Sequence, residues 1–263
     1  MIMPFFKLNR IWKFCTYNKP FFIFILILYL MLNLLQDYVE ANCEMFQIMI
    51  IQFLVGIIVT GYGMIITRER INDGIRLPKI EIRDVVSLGV KSSIVLSVLL
   101  MLQGEILDIV SSALNFPIFD LEELLLDFHE TIHLLYTHNP IDTLLFFVFG
   151  ALLFYITTFF LEIALARLAD TGSLVEGFDL IEIKKDIDVA GWRHYTIDYT
   201  SIILVLVFLS YLKAMVMPVS YLDYFVDVFL SLLIFATQFL GIGAIYSEIK
   251  DKKREKIDII GSK

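Results

Sequence analysis

Residues Ile141–Leu165 read IDTLLFFVFGALLFYITTFFLEIAL. Between Asp142 and Glu162 lie nineteen residues without a charge. At 1.5 Å per residue a helix of that length covers about 28 Å, the thickness of a bilayer's hydrocarbon core. Runs of the same character recur at about residues 20–36, 45–67, 87–110, 199–217 and 221–246. The chain therefore reads as an all-α membrane protein, a bundle of about six transmembrane helices with amphipathic cytoplasmic connections. Residues 1–249 read as a single polytopic domain, and 250–263 as a basic cytoplasmic tail. Pro20 suits a first helical turn, and Pro218 closes the fifth span. The first apolar core, Phe21–Leu32, is short. Composition agrees: 58% of the 263 residues are hydrophobic, against about 45–50% in soluble domains. Mean hydropathy is +0.78.

The charges set the orientation. With six spans, 20 of the 21 Lys and Arg residues fall on one side, and Lys213 is the exception. That side carries a net +4 and the opposite side −12, which together make the chain's −8. The segments 37–44 and 105–142 contain no Lys or Arg. The positive-inside rule then places both termini in the cytoplasm, and the reading is of a multi-pass protein of the cell membrane. Lys91 is near enough to the inner end of its span to snorkel. Cys15 and Cys43 fall on opposite sides of the first span, so they cannot pair. No small-residue cleavage site follows the first apolar run, and it reads as a retained helix.

Aromatic residues gather near span ends, among them Tyr17, Tyr62, Trp192, Tyr195, Tyr199, Tyr221, Tyr224 and Tyr246, as in an interfacial belt. Small residues recur every fourth position at Gly89, Ser93 and Ser97, and at Thr237 and Gly241. Such spacing lets helices approach closely.

Two cytoplasmic connections look like variants of one device. The first runs Gly61-Tyr62-Gly63, Arg68 to Arg70, Asp73-Gly74, Leu77-Pro78. The second runs Ala166-Arg167-Leu168-Ala169-Asp170, Thr171-Gly172, then Ser173 to Val189. Each leaves a span through an Arg, turns at a Gly and returns through an amphipathic stretch. Ser173 and Glu176 have capping-box spacing, which predicts a helix start there. Leu174, Phe178, Ile181, Ile183 and Ile187 suit a helix over about 173–190 lying on the inner membrane surface.

These connections resemble an uncharacterised membrane family found largely in archaea, catalogued as domain of unknown function 4013. Gly61, Tyr62, Arg68, Gly74, Leu77 and Pro78 carry the first part of the resemblance. Ala166, Arg167, Ala169, Gly172, Phe178 and Asp179 carry the second. The resemblance spans roughly residues 20–246. It implies a multi-pass cell-membrane protein and offers no catalytic residues to carry over. The acidic, His-bearing segment between spans 3 and 4 departs from the family's pattern.

That segment holds the one motif that names a chemistry, His129-Glu130-Thr131-Ile132-His133. On a helix, His129 and His133 share a face and can bind one Zn²⁺, with Glu130 activating its water. His138, Asp142, Glu123 and Asp127 are candidates for a third ligand. The surrounding residues, about 119–137, read as an amphipathic helix. Three of the four histidines lie within ten residues, which raises the chance of an incidental match. Glu162 and Asp170 lie at the opposite membrane face and cannot complete the site. An acidic amphipathic helix with two incidental histidines is the better reading, and no cofactor is assigned.

Acidic residues near or within spans are Glu105, Asp108, Glu162, Asp198, Asp223 and Asp227. Glu162 is the deepest, with Arg167 or Lys91 as its expected partner. Charges at membrane depth are costly and often functional. There is no Gly-rich phosphate loop, no Cys-based metal spacing and no Gly-x-Ser-x-Gly. The tail at 250–256 suits the anionic inner leaflet, not nucleic acid. The expected partners are the lipid bilayer and proteins of unknown identity. A binding, scaffolding or transport-associated role leads over a zinc-dependent membrane hydrolase and a small-solute transporter.

Overall fold

The computed structural model describes residues 17–42, 45–74, 81–113, 140–215 and 221–261. The described residues are helical, without strands. Among the described residues eight helices follow in order: α1 Lys19–Asn42, α2 Met45–Ile71, α3 Ile82–Ala113, α4 Pro140–Thr171, α5 Leu174–Phe178, α6 Leu180–Ala190, α7 Trp192–Met215 and α8 Tyr221–Gly261. Five of these, α2, α3, α4, α7 and α8, are long and apolar enough to cross a membrane. In α1 the stretch Lys19–Met31 is apolar. The architecture of about six apolar helices is thus the one expected from the hydropathy pattern.

The helix ends show why the chain breaks where it does. At the end of α2, Gly74 N–H donates to the Glu69 carbonyl at 2.8 Å, and Asp73 N–H to the Arg70 carbonyl at 3.2 Å. This is a Schellman closure, and the residue in the left-handed region is Asp73, at φ 55°. Gly74 is the residue after it. Asp73 tolerates that backbone because it is short and polar, and its carboxylate accepts from Arg70 Nη1 at 3.0 Å. At the end of α4 the left-handed residue is Gly172, at φ 68°, whose N–H donates to the Leu168 carbonyl at 2.8 Å.

Helix α8 runs for 41 residues, about 60 Å, twice the hydrocarbon thickness. It passes through the basic tail without a break as far as Gly261. The tail cations Lys250, Lys252 and Lys253 are consequently carried on a rigid rod.

The chain divides into two compact units, Met1–Val95 with Glu162–Lys263, and Leu96–Leu161. In the first unit α2 lies against α8. Thr67 Oγ1 donates to the Phe239 carbonyl at 3.0 Å, and Gly63 faces the Phe239 ring. Gly61 and Gly89 bring α2 and α3 together: a Cβ on Gly61 would lie 2.1 Å from the Val85 carbonyl oxygen, and one on Gly89 2.1 Å from that of Ile57. Gly241 seats the Ile202 side chain of α7. Aromatic rings fill the gap beside α1, with Tyr62 edge-on to Phe21 and Phe24 and Tyr29 edge-on to Phe235. Lys213 Nζ lies 2.8 Å from Ser231 Oγ and 3.5 Å from Asp227 Oδ2. In the second unit a Cβ on Gly150 would lie 3.7 Å from Leu107 Cδ2. There Met101, Leu102, Ile109, Leu144, Leu145, Val148 and Leu152 are exposed, an apolar surface that suits lipid.

Candidate functional site

The second family-like connection builds the most elaborate polar constellation among the described residues. It starts from the end of α4, where Ile163 to Ala169 are buried. A charge there must be paired or it destabilises the fold. Arg167 is paired three ways. Its Nη1 donates to Asp186 Oδ2 at 2.8 Å, its Nε donates to the Glu176 carbonyl at 3.1 Å, and its Nη2 meets the Glu176 carboxylate. The planar guanidinium serves this purpose better than an ammonium, because its donors form a fixed fork. The Arg167 side chain is 7% exposed and that of Asp186 0%. The second Asp186 oxygen, Oδ1, lacks a hydrogen bond of normal geometry and is neutralised by the Lys253 ammonium of α8 as an ion pair. Two cations thus face two carboxylates.

Local chemistry holds the elbow formed by α5 and α6 in place. Thr171 Oγ1 accepts from Ser173 N–H at 3.2 Å and donates to the Arg167 carbonyl at 2.9 Å. Ser173 precedes α5, but its side chain makes no cap hydrogen bond. The expected capping box is not formed, because Glu176 is drawn to Arg167. The cap that does form is Asp179 on α6, accepting from Ile181 N–H and Glu182 N–H at 3.1 and 3.0 Å. Such a cap contributes about 1 kcal/mol. Gly177 is buried against Val95 of α3. Further bonds tie the elbow's surroundings: Lys91 Nζ donates to the Gly172 carbonyl at 2.7 Å, and Lys250 Nζ to Asp170 at 2.7 Å and to Asn72 at 3.3 Å.

The faces of α6 differ from the expected membrane-surface pattern. Ile183, Asp186 and Ile187 form one buried face, turned to the protein. Leu180 and Ile181 point outward. Glu182 and Lys185 pair on the surface at 2.5 Å. That hydrogen bond holds the Glu182 carboxyl below the usual carboxylate range and the Lys185 ammonium above its own.

The family-motif residues divide by role. Gly61 permits helix contact, Tyr62 packs on α1, Arg68 lies 3.8 Å from Asp84, and Gly74 closes α2. Ala166 is buried, Arg167 centres the ion pairs, Gly172 ends α4, Phe178 ends α5 and Asp179 caps α6. Leu77 and Pro78 lie outside the described residues, as do His129, Glu130, His133 and the whole segment 119–137. Glu162 does not pair with Arg167 or Lys91 as expected, since both cations are committed elsewhere. It is buried, and its Oε2 has no hydrogen-bond partner.

Sequence reasoning missed Asp186 and Lys253. A signal for Asp186 was present: it shares the apolar stripe of Ile183 and Ile187, where an acid requires a buried cation. Lys253 carried no such signal, because its partner lies on a distant part of the chain.

The family model described as Protein of unknown function (DUF4013) matches residues 45–222, well over half of the chain. The match takes in both connections, with Arg167, Glu176 and Asp186, and stops short of Lys253. No curated protein and no solved structure matches the chain.

Proposed function

The chain belongs to the DUF4013 family, and we propose that it is a non-catalytic binding or scaffolding protein of the cell membrane, with both termini in the cytoplasm. The charge bias supports the orientation. The observation that carries the reading is the elbow. Buried ion pairs pin it on one side, while Val175, Leu180 and Ile181 are 77%, 65% and 71% exposed on the other. Lys184 and Lys185 are exposed beside them. An apolar edge flanked by lysines suits the boundary between headgroups and acyl chains. The elbow would then be a rigid platform seated in the inner leaflet, and its lysines would meet anionic headgroups at about 1 kcal/mol each.

The test uses a Cys15→Ser/Cys43→Ser chain in vesicles containing anionic lipid. A spin label on Ile181→Cys is expected to lie about 5–10 Å below the headgroups, more accessible to oxygen than to a water-soluble relaxer. A label as water-accessible as one on Lys185→Cys refutes the seating.

A transport reading rests on a separate observation, the buried Glu162 with an unpartnered carboxylate oxygen. It expects proton flux in vesicles under an imposed pH gradient, lost in Glu162→Gln. Flux equal to that of empty vesicles, or flux unchanged by the substitution, ends it.

A further inference from the structure

His194 and Asp198 are four residues apart near the start of α7, so their side chains share a helix face. Helix α8 brings Glu248 to the same place. His194 Nε2 lies 3.0 Å from Glu248 Oε1 and 3.4 Å from Asp198 Oδ2. The three donor atoms all fall within 4.8 Å of one another.

Those separations have a chemical meaning. A Zn²⁺ ion binds imidazole nitrogen and carboxylate oxygen at about 2.0–2.2 Å. Neighbouring donors around such an ion stand about 2.8–3.6 Å apart, by the geometry of an octahedron or a tetrahedron with those bond lengths. Both His194 edges lie in that window. One imidazole with two carboxylates is a borderline donor set, suited to zinc, cobalt or manganese; calcium and magnesium prefer oxygen throughout. The charge also suits a cation. Lys252 Nζ lies 2.7 Å from Glu248 Oε1 and donates to the Ala190 carbonyl at 3.2 Å. One ammonium against two carboxylates leaves the cluster negative while His194 is neutral.

The three residues differ in exposure. Asp198 and Glu248 are recessed, whereas His194 is half-exposed and edges a shallow depression lined by Gly191, Trp192, Arg193 and Ile197. Three protein donors are the number found in sites that keep a coordination position for water or a ligand. Glu248 lies beyond the residues matched by the family model, and His194 and Asp198 lie within them.

We propose that His194, Asp198 and Glu248 form a binding site for one divalent transition-metal ion of the zinc class, joining α7 to α8. The rival account is a metal-free cluster in which a protonated His194 bridges the two carboxylates.

The experiment uses the full chain in detergent, expressed without a polyhistidine tag and carrying His129→Ala/His133→Ala, so that the other histidine motif cannot contribute. After chelation it is titrated with Zn²⁺, and separately with Co²⁺ as a spectroscopic probe. The expected result is one zinc per chain, with affinity at least about 100-fold weaker in His194→Ala and in Glu248→Gln, since even residues that only support a ligand change affinity 10–100-fold. Co²⁺ is expected to give visible ligand-field bands that vanish in His194→Ala. Unchanged helix content and elution volume in both variants show that the fold survives. The proposal is overturned if the background chain takes up no stoichiometric zinc, or if either substitution leaves zinc affinity unaltered. The membrane-seating measurement does not involve this cluster, so the two readings stand or fall separately.

Discussion

Arg167→Ala is expected to lower the free energy of unfolding in micelles by about 3 kcal/mol, the lower part of the range for breaking a buried ion pair. The reason is what it leaves behind. Asp186 is fully buried, and Arg167 donates a hydrogen bond to its Oδ2 at 2.8 Å. Lys253 still neutralises one Asp186 oxygen, which keeps the loss from the top of the range. The same substitution frees Glu176, the contact that holds α5 to the end of α4. The double variant Arg167→Met/Asp186→Leu is expected to recover most of the loss, because apolar residues of similar volume replace a buried pair at little cost. Lys253, about a third exposed, can then return to water. Denaturant titration followed by circular dichroism measures both variants. A loss below about 1 kcal/mol in Arg167→Ala would show that the pair is solvated, as surface pairs are.

Gly61→Ala is expected to destabilise by about 1–3 kcal/mol or more, the usual cost of forcing atoms into a packed interior. The new Cβ would lie 2.1 Å from the Val85 carbonyl oxygen. That atom is helix backbone, so relief requires α2 and α3 to move apart. Gly89→Ala meets the Ile57 carbonyl oxygen at the same 2.1 Å on the same contact. Once either alanine has separated the helices, the second has less to disturb. The double variant is therefore expected to cost less than the two singles together. Gly56→Ala supplies the opposite sign. Nothing lies within 4 Å of its Cβ position, and alanine is the better helix former by about 1 kcal/mol. If Gly61→Ala behaves like Gly56→Ala in the same titration, the close contact of α2 with α3 is refuted.

Much of the fold was legible because its signals are local. Five long apolar helices appear where uncharged runs of membrane-crossing length stand in the sequence. The turn at Asp73-Gly74 was also legible, since both residues favour a helix end. Which of the two takes the left-handed backbone was not, because Arg70 stabilises Asp73 through its side chain. The capping-box spacing at Ser173 and Glu176 marked the start of α5, although the box itself does not close, because Glu176 pairs with the Arg167 guanidinium. On α6 the apolar residues were read as one membrane-facing set. The structure splits them, and the protein claims Ile183 and Ile187. The His194–Glu248 pairing crosses 54 residues; the i, i+4 spacing of His194 and Asp198 was its only trace in the sequence.

The amino-acid sequence by itself determined that this is a helical membrane protein, and which segments form its long helices. A chain in hydrocarbon must satisfy its backbone within each segment, so the outcome depends on composition over some twenty consecutive residues. Only the tertiary structure decided where the charges go. Arg167 reaches Asp186 and Glu176 but not Glu162, and Lys253 and Lys250 turn from the tail to Asp186 and Asp170. Ion pairing depends on separations of a few ångströms between side chains, and those separations exist only after α4, α6 and α8 have packed.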